Sequence, residues 1–254
     1  SGFSYENRFG TPIIISGILY YPLPISHTGT GYNGFLAVDL QTGEELWYRS
    51  DIMPTFAELY DYGSPNQHGV VGGILWQSTG PGGSTWLAFD ALYGKNIFNL
   101  TDVPRGTEVY TEKGEIVRYV LNYPNRWIAL WNWTEAPDTK LGLSGTNQDQ
   151  WRPIGKSINT STAYSWNVTI PNLPGSSTPS IVGVIPGDVI LGSSSNVALT
   201  SQSRGTSDPW TMWAISDKPA TRGQLLWIKN YPAPTGNISR MLAWQPIDPV
   251  TRTF

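Results

Sequence analysis

Short apolar runs rich in β-branched residues alternate with polar turns along the chain, and few have the spacing of a helix. Four runs are predicted to be pairs of short strands: "TPIIISGILYY" (11–21), "HGVVGGILWQ" (68–77), "GEIVRYVLNY" (114–123) and "PSIVGVIPGDVILG" (179–192). Each precedes a loop, an apolar strand, a turn and an aromatic strand. A single helical turn is predicted in "TFAELYDYG" (55–63). The pattern therefore predicts four units of four strands.

The second half of each unit repeats one motif. "LAVDLQTGEELW" ends at Trp47 and "LAFDALYGKNIF" at Phe98, while "AYSWNVTI" and "AISDKPATRGQLLW" place Trp166 and Trp227 at the closing position. The steps between these aromatics are 51, 68 and 61 residues. They exceed the roughly 40–50 residues of common propeller blades, which predicts enlarged loops. In the third unit, the polar residues between "RWIALWNW" and "YSWNVTI" are predicted to be an inserted excursion.

The motif has a physical interpretation in residues 36–47. Gly43 supplies the positive φ of a short bulged hairpin, and Asp39 accepts hydrogen bonds from N–H groups of the turn. Trp47 packs against the neighbouring blade while its indole N–H finds an acceptor. We assign this blade-docking role to Asp39, Gly43, Trp47, Asp90, Gly94, Phe98, Trp166, Asp217, Gly223 and Trp227.

The predicted fold class is all-β, a β-propeller of four-stranded antiparallel blades. About four blades are predicted, roughly at 8–50, 66–103, 108–171 and 179–231, with 238–254 as the start of a further blade. The chain begins at Ser1 and ends on a strand-like run. We therefore expect residues 1–254 to be one segment of a longer polypeptide and a larger propeller.

A family resemblance rests on the same residues. The pattern A-x-D-x-x-T-G-x-x-x-W in 37–47 closely resembles the tryptophan-docking repeat of quinoprotein-like propellers, named for pyrroloquinoline quinone (PQQ). The match is partial in 88–98 and 214–227, and poor in 128–166, where Trp131 stands in the place of the acid. The chain is also similar to secreted archaeal PQQ-like repeat proteins, which share "GILYY", "SPNQHG" and "YVLN". The resemblance implies the fold of most of the chain and very little about its activity.

A PQQ site is not recognisable in the sequence. Quinoprotein alcohol dehydrogenases hold PQQ with Ca²⁺, an Asp base, a stacking Trp and usually a vicinal disulfide, whereas this chain has no Cys. No Glu, Asn and Asp set matches residue by residue. We therefore assign no catalytic, cofactor-binding or metal residues and predict no cofactor. Binding of PQQ and Ca²⁺ is expected only if the chain is a fragment of such an enzyme.

Charge and composition exclude other classes. The net charge is −3 and the pI about 5.4, so a basic field for nucleic acid is lacking. No apolar run reaches the length of a membrane span. The absence of Cys also removes thiolate nucleophiles and cysteine metal sites.

Other polar residues have competing interpretations. His68 and His27 are interpreted as a hydrogen-bonded and a solvated side chain, although a central-axis role is conceivable for His68. Glu58 with Asp61, or Asp149 with Asn147, are weak candidates for a Ca²⁺ site, since no series of alternate oxygen ligands appears. "GPGGS" (80–84) lacks the Lys of a phosphate loop, and "GSSS" (192–195) lacks the elbow of a serine hydrolase, so both are predicted to be loops.

Five sequons offer N-linked glycosylation candidates, against about three expected by chance from composition. They are Asn99, Asn132, Asn159, Asn167 and Asn237. If the chain is secreted, glycans are expected at such sites.

The leading hypothesis is a non-enzymatic extracellular or cell-surface protein that acts in structure, assembly or binding, as a surface-layer, filament or adhesion component. Its partners would be further blades of the same polypeptide or identical chains, through unpaired strand edges. The alternatives are a fragment of a PQQ-dependent dehydrogenase and a scaffold for envelope protein assembly. The Trp-rich run 126–133 is interpreted either as interblade core or as a sugar-stacking surface.

Overall fold

The computed structural model describes most of the chain as β-strands and turns. The described residues are 12–24, 31–59, 73–112, 114–133, 155–195, 209–232, 235, 248 and 250–251. Across these residues there are seventeen strands and one short 3₁₀ turn at Pro81–Gly83, and no α-helix. The predicted all-β class is confirmed. The helical turn predicted at 55–63 is wrong where it is described, because Phe56–Glu58 form a strand.

The strands follow one another at short intervals along the chain. They are β1 (Ile13–Ile15), β2 (Ile18–Pro24), β3 (Tyr32–Asp39), β4 (Glu45–Arg49), β5 (Phe56–Glu58), β6 (Ile74–Thr79), β7 (Thr85–Asp90), β8 (Asn96–Thr101), β9 (Thr107–Tyr110), β10 (Ile116–Asn122), β11 (Trp127–Trp131), β12 (Ser157–Asn159), β13 (Tyr164–Thr169), β14 (Ser180–Ile185), β15 (Val189–Ser193), β16 (Trp210–Ser216) and β17 (Leu225–Tyr231).

These strands form four sheets that we call blades 1 to 4. Blade 1 has the order β1-β2-β3-β4, and blade 4 the order β14-β15-β16-β17. Blade 3 has the order β9-β10-β11-β13, and blade 2 the order β5-β6-β7-β8, with β12 added beside β8. Consecutive strands such as β2 and β3, β6 and β7, and β10 and β11 pair antiparallel. The prediction of about four blades of antiparallel strands is confirmed.

The boundaries differ from the predicted ones mainly in blade 2. It begins at Phe56–Glu58, before the predicted start at residue 66. The described part of 68–77 contributes one strand, β6, where a pair was predicted. Blade 3 runs from Thr107 to Thr169 and blade 4 from Ser180 to Tyr231.

The strand β12 gives blade 2 a fifth strand, which comes from the polar excursion predicted to belong to blade 3. It runs parallel to β8 and pairs Ser157 with Asn99 and Asn159 with Thr101. Ile158 is buried and only 2% exposed. A three-residue strand with one apolar side chain has no readable period, which is why the sequence did not predict it.

Each blade has a β-bulge at the same place in its last antiparallel pair. The pairs before the bulge are Ala37 with Trp47, Ala88 with Phe98, Leu130 with Trp166 and Ala214 with Trp227. The bulged residues that follow are Leu46, Ile97, Ser165 and Leu226. The four closing aromatics therefore occupy one register position, and the bulge sets their orientation in every blade.

The chain divides into two compact units, each with its own core. The first comprises residues 1–105, 112–116 and 133–163 and contains blades 1 and 2, with Tyr20, Phe35 and Leu75 buried in its core. The second comprises residues 106–111, 117–132 and 164–254 and contains blades 3 and 4, with Tyr119 and Trp213 in its core. No helix long and apolar enough to cross a membrane occurs among the described residues.

The added strand generates a test of its contribution to stability. Ile158→Ala removes a buried side chain that holds β12 against the sheet, so the free energy of unfolding should fall by about 2–4 kcal/mol. Urea denaturation followed by tryptophan fluorescence measures the change. Ser157→Ala, at an exposed position of the same strand, serves as the control and should change stability by less than about 0.5 kcal/mol. Equal effects of the two substitutions would show that β12 is only loosely attached.

Candidate functional site

The turn after β3 is closed by the carboxylate of Asp39. Its Oδ1 accepts hydrogen bonds from the backbone N–H groups of Gln41 and Thr42, both at 2.8 Å. The Thr42 hydroxyl adds a third at 3.1 Å, and the Gly43 N–H donates to the carbonyl of Asp39 at 2.8 Å. These donors, Thr42 N–H first and Gln41 N–H second, hold the pKa of Asp39 below its ordinary value.

The turn after β7 has the same construction. Asp90 Oδ1 accepts from Leu92 N at 2.8 Å and from Tyr93 N at 3.1 Å. Gly94 N donates to the carbonyl of Asp90 at 2.8 Å. Replacement of the motif's Thr by Tyr93 removes the hydroxyl contact but leaves the backbone turn intact.

In blade 4, Ser216 occupies the position of Asp39, whereas the sequence pattern predicted Asp217 there. Ser216 N donates to Gln224 O at 2.9 Å, and Gly223 N donates to Ser216 O at 2.9 Å. The Ser216 hydroxyl accepts from Lys218 N at 3.3 Å. Serine is a weaker substitute for aspartate in such turns. Asp217, one residue further on, is buried and has another role.

The corresponding position in blade 3 also differs from the predicted one. The bulge places Leu130 where blade 1 has Ala37, so the residue two positions later is Asn132 and not Trp131. Trp131 itself is fully buried. The polar residue of the motif is therefore present in blade 3 as an amide.

Trp47 of blade 1 docks on the turn of blade 2. Its Nε1 donates to the carbonyl of Ala91 at 3.1 Å, and the hydroxyl of Tyr20 donates to the same oxygen at 3.1 Å. Burial raises the pKa of Tyr20 to about 12. The indole lies over Gly94, where a Cβ atom would come within 3.1 Å of the ring. The glycine thus serves the turn, with φ 63°, and also the contact with the tryptophan.

Trp166 of blade 3 docks on the turn of blade 4 in the second unit. The guanidinium of Arg222 lies 4.4 Å from the centroid of the indole, a cation–π contact. A Cβ atom on Gly223 would come within 2.8 Å of the carbonyl oxygen of Thr169. The same closing aromatic thus joins the two blades of each unit, with different chemistry at the contact.

Asp217 joins these two blades through buried polar contacts. Its Oδ2 accepts from the Tyr119 hydroxyl at 2.6 Å and from Gly187 N at 2.7 Å, and its Oδ1 accepts from Arg222 Nε at 3.0 Å. Burial, followed by the bond to Asp217, raises the pKa of Tyr119. Tyr119 corresponds to Tyr20 of blade 1, since each lies on the second strand of its blade and reaches into the next turn.

The other two closing aromatics have different surroundings. Phe98 is buried against Trp76 and Trp133, with ring centroids at 5.6 and 5.5 Å. Trp227 is half-buried on β17, and the ammonium of Lys229 lies 5.4 Å from its ring.

A further turn of the same kind occurs at Asp248. Its Oδ1 accepts from Val250 N at 2.8 Å and from Thr251 N at 3.3 Å, and its Oδ2 accepts from the Thr251 hydroxyl at 2.7 Å. The spacing D-x-x-T is that of Asp39 and Thr42. The rest of the predicted further blade, 238–254, lies outside the described residues apart from Asp248 and 250–251. The sequence does not predict this turn because Pro249 and Val250 replace the expected polar residues.

The least expected feature is a buried carboxylate in blade 2. Glu58 is 1% exposed. Its Oε2 accepts from Trp76 Nε1 and its Oε1 from Ile116 N, each at 3.1 Å. Burial, opposed by these hydrogen bonds and assisted by the nearby Glu115, raises the pKa of Glu58 to about 7. The sequence placed Glu58 only among weak Ca²⁺ candidates, since one acid in a short apolar strand carries no readable signal.

The remaining polar candidates are not assembled into a metal or nucleophile site in the described part of the chain. No group of three or more His, Asp or Glu side chains suited to a metal occurs there. The Ser193 hydroxyl donates to the carbonyl of Thr211, and that of Ser194 to the carbonyl of Leu173, both at 3.0 Å. His27, His68, Asp61, Asn147 and Asp149 lie outside the described residues.

The sequons differ in accessibility. Asn159 and Asn167 are exposed, and Asn159 donates to Asp102 Oδ2 at 2.8 Å. Asn99 is half-buried within β8, and Asn132 is only 1% exposed, so a glycan on Asn132 would require that side chain to leave its buried position. Asn237 lies outside the described residues.

Comparison with known proteins gives distant structural likeness only. No family model matches the chain, and no curated protein matches it. BamB from Moraxella catarrhalis is 12% identical, with a TM-score of 0.33 over 89% of this chain and 63% of that one. A europium-containing methanol dehydrogenase is 11% identical, with a TM-score of 0.34 over 91% of this chain and 43% of that one. A quinohemoprotein alcohol dehydrogenase from Comamonas testosteroni is 12% identical, with a TM-score of 0.25 over 89% of this chain and 40% of that one.

The chain therefore spans less than two thirds of the length of each of these three proteins. At such TM-scores the likeness carries no argument about activity or partners.

Substitution of two glycines in equivalent turns distinguishes the stability that the turn requires from the stability that the docking of Trp47 adds. Gly43→Ala introduces a Cβ with nothing within 4 Å, so only the positive φ opposes it, at about 1 kcal/mol. Gly94→Ala must also displace the indole of Trp47 and should lower the free energy of unfolding by about 2–4 kcal/mol. Urea denaturation measures both. If the two variants lose the same stability, the docking of Trp47 does not depend on its close approach to Gly94.

Glu58 should make stability depend on pH. Its pKa is higher in the folded state than in the unfolded chain, so its contribution is fully present below about pH 4.5 and is lost as pH rises through about 7. The loss amounts to about 3 kcal/mol. Denaturation curves at pH 4.5 to 8 give the free energy of unfolding of the wild type and of Glu58→Gln. The slope of this free energy against pH is then compared between the two proteins.

The slopes of the free energy of unfolding against pH are compared, because the amide introduced by Glu58→Gln faces the N–H donors of the carboxylate and changes the absolute stability as well. Glu115→Gln serves as a second variant. Removal of that neighbouring charge should lower the pH at which this stability is lost, while the slope of the free energy of unfolding against pH stays the same. A Glu58→Gln protein with the wild-type pH dependence would contradict this assignment.

Proposed function

We propose that this chain is a non-enzymatic propeller segment that acts in structure, assembly or binding at the cell surface or outside the cell. The observation that carries the proposal is the repeated joint between blades. Trp47 and Trp166 each dock on the turn of the following blade. At Asp248, a carboxylate again accepts from the N–H groups two and three residues later. Joints of this kind hold successive sheets together, as a role in structure or assembly requires.

The use of the acidic side chains supports the same proposal. Asp39 and Asp90 close turns, Asp217 joins two blades, and Glu58 accepts from an indole and a backbone N–H. Each of these carboxylates has hydrogen-bond donors from the protein itself. These carboxylates therefore act in stabilising the fold.

The Trp-rich run 126–133 fits the interblade interpretation better than the sugar-stacking one. Trp131 and Trp133 are fully buried, and Trp133 packs on Trp76 and Phe98. Stacking on a sugar requires an exposed aromatic face. Binding by this segment is therefore proposed to use other surfaces.

The alternative of a PQQ-dependent dehydrogenase is less well supported by the residues present. A PQQ site with Ca²⁺ needs several oxygen ligands around one ion. The described residues contain no such acidic group, and the buried Glu58 is engaged by Trp76 and Ile116. The acidic side chains among the described residues do not fit the cofactor. The role of a scaffold for envelope proteins is a variant of the proposal and differs from it only in the partner.

An extracellular or cell-surface location is part of the proposal. The sequons at Asn159 and Asn167 have exposed side chains, as a glycan requires. The resemblance to secreted archaeal repeat proteins points the same way and stays a prediction.

The proposal is tested by cofactor titration and by surface labelling. With added PQQ and Ca²⁺, we expect no saturable change in visible absorption or tryptophan fluorescence, and no dye-linked alcohol oxidation. A PQQ-dependent dehydrogenase assayed in parallel is the positive control. On intact source cells, a membrane-impermeant amine reagent should label the native protein, and its intact mass should show hexose ladders.

Each outcome bears on a different part of the proposal. Saturable PQQ binding with alcohol oxidation would replace it by the dehydrogenase. Protection from the surface reagent until the cells are lysed would contradict the location.

A further inference from the structure

The outermost strands of the blades differ in what they expose. In blade 3, β13 exposes the polar residues Ser165, Asn167 and Thr169. In blade 4, β17 exposes Lys229 and Asn230 and, in addition, large apolar side chains: Leu225 at 37%, Leu226 at 53% and Tyr231 at 37%. An edge with polar side chains resists pairing, whereas a long apolar edge favours it. Of these two edges in one unit, β17 is the one suited to a partner.

The chain itself shows that an outer blade edge accepts another strand. Blade 2 carries β12 beside β8, paired in register over Ser157–Asn159. Asn99 N on β8 donates to the carbonyl of Lys156 at 2.9 Å, so the edge groups of β8 are used in backbone pairing. In blade 4, the described sheet ends at β17. β17 is seven residues long, and it is the longest of the four outer meander strands.

We propose that β17 pairs with β17 of a second copy of this chain, antiparallel and centred on Ile228. A two-fold axis there makes the contact isologous, so each pairing occurs twice. Trp227 then lies opposite Lys229 of the other copy, and Leu226 lies opposite Asn230. Leu225 and Tyr231, the apolar residues at the two ends, are brought together.

Charge decides between this arrangement and a parallel one. Lys229 is the one charged residue of β17. Parallel pairing in register would place two lysines side by side, which is unfavourable. Antiparallel pairing puts each lysine against an indole, and Lys229 already lies 5.4 Å from the ring of Trp227 within the protomer. The strand is therefore complementary to itself only in the antiparallel orientation.

This pairing would supply a partner for the assembly role proposed above. The pairing itself depends only on the features of β17. A chain that proved to bind PQQ would pair in the same way. Failure of one proposal therefore leaves the other in place.

The test uses charges placed at two positions that face each other across the axis. Leu226→Glu/Asn230→Glu and Leu226→Lys/Asn230→Lys each put like charges opposite one another, so each variant alone should raise the dimer dissociation constant about tenfold or more. An equimolar mixture should form the heterodimer again. Sedimentation velocity over a range of concentrations measures all three samples and the wild type.

A matched control comes from blade 1. Leu46 is the bulged residue of β4, as Leu226 is of β17, and is 41% exposed. Leu46→Glu should leave the dimer unchanged. Far-UV circular dichroism and thermal unfolding of every variant verify that folding is retained.

Three results would overturn the proposal. The wild type could stay monomeric at all concentrations, the folded charge variants could dimerise like the wild type, or their mixture could fail to recover the dimer. The last result would show that the positions 226 and 230 do not face each other.

Discussion

The contact between an indole and the glycine turn of the next blade is the constraint on which each unit depends. A four-stranded sheet buries only part of its apolar surface by itself, so it needs a second sheet at a fixed distance and angle. The bulge before Trp47 and Trp166 sets the direction of these rings. Gly94 gives the ring of Trp47 a surface without a Cβ, and Gly223 does the same for the strand of Thr169. The joint is therefore defined by backbone geometry, and its polar chemistry can vary.

That variation is visible between the two units. In the first, Tyr20 and Trp47 both donate to one backbone carbonyl, that of Ala91. In the second, Tyr119 donates to the carboxylate of Asp217, and Arg222 neutralises it. A buried charge is costly unless it is paired and hydrogen-bonded, and this one is. Glu58 differs, since it has donors but no cation among its described hydrogen-bond partners, and burial raises its pKa. Asp217 has the guanidinium of Arg222 at 3.0 Å.

The sequence predicted those features that depend on local patterns. Strand alternation and Gly-bearing turns predicted the blades, and the spacing from Asp39 to Trp47 predicted a turn that holds an aromatic residue. It misplaced the polar position in blade 4, because three inserted residues make Ser216 and Asp217 equally good candidates until hydrogen bonds are known. It did not predict β12 or the environment of Glu58, because both depend on pairing between residues far apart in the chain. The partner of a strand and the burial of an acid are properties of tertiary structure.

The outer edges of the blades link the fold to the proposed assembly role. Every meander sheet ends in a strand with unsatisfied backbone groups on one side, so each blade must either cover that edge, make it polar or offer it to a partner. Blade 2 covers it with β12, and blade 3 lines it with Ser165, Asn167 and Thr169. A glycan on Asn167 would add bulk to an edge that is already polar. Blade 4 combines a seven-residue edge with exposed large apolar side chains and a single cation, Lys229. In the proposed antiparallel register, that cation would lie opposite Trp227 of the other copy. Blades 2, 3 and 4 thus treat their outer edges in three different ways, and the third is the one that we propose to bind another molecule.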